Sequence, residues 1–134
     1  MRKVFILSFF HFIIFLVSCN STSPEQQAAE SAKACYDLLV EGDVTRFLEC
    51  KADVDSLSAD YAEQLLGAVR QYQHDIEKKH GGLREVRVAD NPGRCDTLPT
   101  GPLVHALLIL CYADSTQEEI SVPMVDHNGQ WLMK

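Results

Sequence analysis

Gly81-Gly82 divides this chain into two parts with different hydrophobic periods, and their order restricts the folds open to it. Upstream, apolar side chains recur every three or four residues; downstream they tend to alternate. Helices that all precede the strands cannot serve as crossovers between parallel strands, so the strands must pair antiparallel. The expected class is α+β, with N-terminal helices packed on an antiparallel sheet.

Local signals place the elements. Ser23 can cap a helix opened by Pro24, with Gln26 at the reciprocal capping-box position. Ala28, Ala32, Cys35, Tyr36 and Leu39 trace one face of that helix, and Gly42 ends it. Asp43 can cap a short second helix bearing Val44, Phe47 and Leu48. Ser58 opens a third, with Asp60 and Glu63 near its positive end and Lys78, Lys79 and His80 at its negative end. Its stripe of Tyr61, Leu65, Ala68, Val69, Tyr72 and Ile76 is expected to be buried.

Past Gly82, Val86 and Val88 alternate with Glu85 and Arg87, as in a half-exposed strand. Asp90 to Pro102 contains two prolines before Pro102 and two glycines, and reads as a turn-rich connection. Leu103 to Ala113 is almost wholly apolar, which predicts a central strand covered on both faces. Ile120, Val122 and Met124 alternate with polar neighbours, and Pro123 marks an edge or a bulge. Asn128-Gly129 predicts a two-residue hairpin before Trp131 and Met133.

The N-terminus carries an address. Arg2 and Lys3 precede fourteen residues, Val4 to Val17, interrupted only by Ser8 and His11. That run suits a signal peptide and falls short of the ~20 residues a spanning helix needs. Leu16-Val17-Ser18-Cys19 resembles a bacterial lipobox, in which the Cys19 thiol is acylated and the peptide before it removed. The division is thus 1–18 as lipoprotein signal peptide, 19–23 as lipidated tether and 24–134 as one domain. The expected place is the bacterial envelope, anchored by lipid, on the outer membrane facing the periplasm.

Charge narrows the partners. Removing Arg2 and Lys3 with the leader leaves ten basic against nineteen acidic residues. Nucleic acid is not expected as a partner, because neutralising phosphates needs a clustered basic face. An apolar share of 46% argues for a folded core. His74 and His80 stand six apart on one helix, and no Cys-x-x-Cys, His-x-x-x-His or Glu-x-x-His pattern occurs. No metal, cofactor or catalytic set is expected.

Four cysteines remain beyond Cys19, and in an oxidising compartment they allow three pairings. Cys35 lies seven residues before Gly42 and Cys50 eight after it, so in a helix hairpin both stand at one level. Cys35–Cys50 is the favoured bridge, which leaves Cys95 and Cys111 either to pair by elimination or to stay reduced as small core residues.

Taken in order, several features resemble one family. They are the lipobox, Pro24, the Gly42-Asp43 break, Gly81-Gly82, the apolar Leu107 to Tyr112 and the closing Asn128-Gly129-Gln130-Trp131. The layout resembles short bacterial lipoproteins of unknown function within the nuclear transport factor 2-like, or cystatin-like, superfamily. The resemblance implies a curved sheet wrapping a long helix, often around a cone-shaped cavity, and carries over no catalytic residue. His105 shares strand parity with Leu103, Leu107, Ile109 and Cys111, and would line such a cavity if that face turned inward. Tyr36, Tyr72 and Trp131 are further candidates for its lining, each with an apolar body and a polar tip. The expected role is a non-enzymatic module for a small ligand, a peptide or an envelope protein. The alternatives are a small cavity enzyme of isomerase or hydratase type and a purely structural envelope protein.

Overall fold

A computed structural model describes residues 23–134. The expected signal peptide (1–18), the expected acylation site Cys19 and residues 20–22 of the expected tether lie outside the described residues. Helix α1 spans Pro24–Glu41, α2 Val44–Glu49 and α3 Ala59–His80, with a 3-10 turn at Val54–Ser56 before α3. Strands β1 (Leu83–Leu98), β2 (Gly101–Tyr112), β3 (Gln117–His127) and β4 (Gln130–Met133) follow. They form one antiparallel meander in the order β1-β2-β3-β4.

The punctuation works through local hydrogen bonds. Ser23 Oγ accepts from the Gln26 N–H, and Ser58 Oγ from that of Tyr61. Gly42 and Gly81 end α1 and α3 in the left-handed conformation, at φ 84° and 81°. Asn128 and Gly129 take φ 54° and 85°, the two positive angles a tight hairpin turn needs.

The core lies between α1 and one face of the sheet. Val104, Ala106, Leu108 and Leu110 of β2 point inward with Val86, Val122 and Met124. Against them α1 sets Ala28, Ala29 and Ala32, all fully buried. Three alanines let the helix backbone come close to the strands. Each large side chain sealed there contributes about 1.5–3 kcal/mol relative to exposure. A second cluster, Cys35, Leu39, Val44 and Phe47, joins α1 to α2 and receives Leu66 and Val69 of α3. Cys35 and Cys50 are joined across this seam, with Cα atoms 6.2 Å apart.

Four expectations are corrected. First, the segment from Asp90 onward is strand rather than loop: β1 runs on to Leu98. Val88 pairs with Leu108 and Gly93 with Ala106, so five steps on β1 match two on β2. The extra residues form a bulge, which absorbs Pro92 and bends the strand. Second, Cys95 and Cys111 are free. Cys95 stands opposite Val104 and packs on the inner core, whereas Cys111 stands opposite Glu85 on the outer face. Seven residues of β2 separate those levels, about 23 Å at the usual strand rise, far beyond disulfide reach. Third, β2 is covered by helix on its inner face only; His105, Leu107 and Ile109 on the outer face are half-buried among neighbouring strands. Fourth, α3 buries only Ile76 of its apolar stripe. The alanines of α1 already occupy the sheet's inner face, so α3 stands off to one side. No helix among the described residues is long and apolar enough to cross a membrane.

Candidate functional site

Apart from Ile76, which packs into the sheet core, α3 leaves its apolar stripe short of the strands, and a cleft remains between it and β3. Its volume is about 490 Å³. Leu65, Val69 and Tyr72 of α3 form one wall, and Ile120, Val122 and Met133 of the sheet form the other. Tyr36 and Phe47 close the floor, edge to face with ring centroids 5.1 Å apart. Lys51 and Lys134 stand at one end. The volume falls within the range of sites for small organic molecules, and the lining is mainly apolar with a few polar tips.

Two phenols, Tyr36 and Tyr72, bring polarity to this apolar setting, and a third, Tyr112, stands in a small neighbouring hollow with Tyr72 and Glu118. Burial, and after it the neighbouring Tyr72, push the Tyr36 phenol up to about 12. Tyr72 itself is raised, by burial first and then by the charge of Glu118. Tyr112 is also pushed up to about 12, by burial and then by Tyr72 and Glu118, and its hydroxyl donates to Glu118 Oε2 at 3.4 Å. All three are protonated at neutral pH and can donate hydrogen bonds.

These shifts set a test. Ultraviolet titration of the phenolates should find Tyr36 and Tyr112 ionising near pH 12, about two units above the ordinary 10.0. The unfolded chain ionises first, so stability from the neutral phenols is complete below pH 10 and is lost as pH rises through about 12. Tyr36→Phe should keep its melting temperature over more of that interval than the parent. Equal alkaline loss in both proteins would contradict the assignment.

The other candidates lie elsewhere. His105 has the strand parity expected of it, but that parity belongs to the outer face. There His105 stands opposite Arg94 and Pro123, and its Nε2 lies 3.3 Å from Asp96 Oδ2. It does not line the cleft, because Val104 and Ala106 carry the inward face at that level. Trp131 is buried on the inner side, where its indole N–H donates to Gln27 Oε1 at 3.4 Å. It borders a separate hollow with Cys35, Arg46 and Leu132.

Some arrangements were not foreseen from sequence. A larger hollow of about 740 Å³ separates the end of α1 from α3, with Glu41, Arg70, His74 and Glu77 on its walls. Gln73 Nε2 donates to the Leu39 carbonyl across that junction at 2.8 Å. At the end of α3, His80 Nδ1 lies 2.8 Å from Asp114 Oδ2, and the imidazole stacks on Tyr112 with centroids 4.0 Å apart. Thr116 and His80 hold the Asp114 carboxyl down to about 2. This cluster ties the helix end to the β2–β3 turn, together with the hydrogen bond from the Asp114 N–H to the His80 carbonyl. Among the described residues no group of three metal-ligating side chains comes together.

Comparison with known proteins places the fold. No protein-family profile matches the chain, and no curated protein matches its sequence. A crystal structure from Campylobacter jejuni, provisionally described as an NTF2-like transpeptidase, superposes with a TM-score of 0.56 at 10% identity. The match covers 76% of this chain and 92% of that one. The fold is thus the nuclear transport factor 2-like α+β arrangement of helices against a curved four-stranded antiparallel sheet.

Proposed function

We propose that the protein is a membrane-anchored envelope lipoprotein whose domain binds an apolar ligand, without chemistry, in the cleft between α3 and β3. The single observation that carries this is the uncovered stripe of α3. Tyr61 and Tyr72 are 48% and 39% exposed, on a 22-residue helix that buries only Ile76. An amphipathic helix gains its stability from covering its apolar face, and here much of that face looks into the cleft instead. The described polar groups beside it are phenols held neutral and lysines at one end, a set suited to orienting a ligand. The lipobox at Cys19 supports the anchored location.

A water-soluble alkyl diazirine probe tests the binding. Photolabelling of the full chain in lipid nanodiscs should concentrate on Leu65, Val69, Tyr72 and Met133. Leu65→Glu should lose that labelling while keeping the parent's cooperative unfolding, since Leu65 lines the cleft, is only half-buried and belongs to neither core cluster. Label spread evenly over the surface would overturn the binding reading. The anchor has its own readout in the same samples. The peptide beginning at Cys19 should carry acyl mass, and Cys19→Ala should have none at residue 19 or 20.

A further inference from the structure

The cleft has a second property that its apolar lining alone does not explain: one wall is a bare strand edge. Strand β4 pairs with β3 only from Met124 to His127. The far side of β4 is itself covered, since Met133 exchanges hydrogen bonds with Cys50 and Ala52 at 2.9 and 2.8 Å. Next to β4, the Pro123 carbonyl accepts from the Lys134 N–H at 2.9 Å. Pro123 has no N–H to offer, so it stands where the ladder stops. Successive residues of a strand turn their N–H and C=O groups to opposite sides. Ser121 and Glu119 therefore aim their backbone donors and acceptors at the same edge as Pro123. Among the described residues no strand meets them.

We propose that this cleft takes an extended segment of a partner protein, added beside β3 along residues 117–121 as a further strand that ends where Lys134 meets Pro123. The proposal rests on the cleft reading above and names its occupant. The backbone groups of Ser121 and Glu119 require a complement with the spacing of a polypeptide, which neither an acyl chain nor a compact small molecule supplies. The five residues span about 17 Å. Alternation then sorts the partner's side chains. Those on the inner side meet Leu65, Val69 and Tyr72 of α3 and are apolar. Those on the outer side lie beside exposed Glu119 and are basic, because opposite charges across adjacent strands attract. Charge also disfavours a second copy of this chain in the groove: without the leader each carries nineteen acidic against ten basic residues and would bring its own Glu118 and Glu119 to the contact.

The probe is an acetylated, amidated heptapeptide alternating valine with lysine, offered to the full chain in lipid nanodiscs, with empty nanodiscs subtracted. Hydrogen exchange read by mass spectrometry should slow at residues 119 and 121. The peptide should displace the alkyl diazirine label from Val69 and Tyr72. Methylating the backbone nitrogens on its β3-facing side should weaken binding about tenfold or more, because each lost hydrogen bond leaves a strand carbonyl without its donor. Equal affinity of methylated and unmethylated peptides overturns the added strand. So does diazirine labelling of the cleft that the peptide neither displaces nor accompanies with protection; in that case the apolar-ligand reading stands. Protection at 119 and 121 that grows with protein concentration alone would assign the edge to a second copy and overturn the proposal. Failure of both probe and peptide removes the cleft reading and this inference together.

Discussion

Gly93→Ala should destabilise the domain by about 3 kcal/mol or more, the largest effect expected of any single methyl group added to it. Gly93 sits at φ 142°, a region that side chains rarely enter. A Cβ placed there would collide with the carbonyl oxygen of His105 and come within 3.1 Å of Ala106 Cα. Both obstacles are backbone atoms of the central strand, so neither can swing aside. Gly101 supplies the control, since its φ of 131° is similar and nothing lies within 4 Å of an added Cβ. Gly101→Ala therefore bears only the conformational part. Urea unfolding of the two variants separates the terms: Gly93→Ala should show the lower midpoint at an unchanged slope. Equal losses would mean that β1 does not approach His105 as closely as the bulge requires.

Replacing Cys35 and Cys50 together with alanine should cost about 3 kcal/mol, from the loop entropy returned to the unfolded chain by a separation of 15 residues. The bridge closes the α1–α2 seam beside Phe47 and Tyr36, so its loss also loosens the floor of the cleft. Reductant should bring the parent's unfolding midpoint down to that of the variant and leave the variant unchanged. Non-reducing peptide mapping should find Cys35 joined to Cys50, with Cys95 and Cys111 as thiols. A Cys95–Cys111 link would contradict the register of β1 on β2.

Much of the architecture was legible because the interactions that create it are short in sequence. A serine hydroxyl reaches an amide three residues away, as at Ser23 and Ser58. A left-handed glycine closes the turn it belongs to, as at Gly42 and Gly81. The Cys35–Cys50 bridge belongs to the same class, since a helix hairpin brings its two arms together by local geometry. The order of helices before strands was enough for the α+β class, because it removes the crossovers a parallel sheet needs. On the site, helical spacing alone sets Tyr36 and Tyr72 on the apolar faces of α1 and α3, and both side chains line the cleft.

The tertiary structure decided the rest, where two distant segments competed for one surface. The turn-forming residues after Asp90 are locally persuasive, yet pairing with Gly101 to Ala106 drew them into β1 around a bulge. That bulge set the level of Cys95 and so separated it from Cys111. Strand period assigned His105 to the face of Leu107 and Cys111 but could not say which face turns inward; the inner side went to Val104 and Ala106, against the alanines of α1. The stripe of α3 reads in sequence as core, and only the prior occupation of the sheet by α1 leaves much of it uncovered. Periodicity records which side chains share a face. Which face is buried depends on packing partners scores of residues away, and that choice made the cleft.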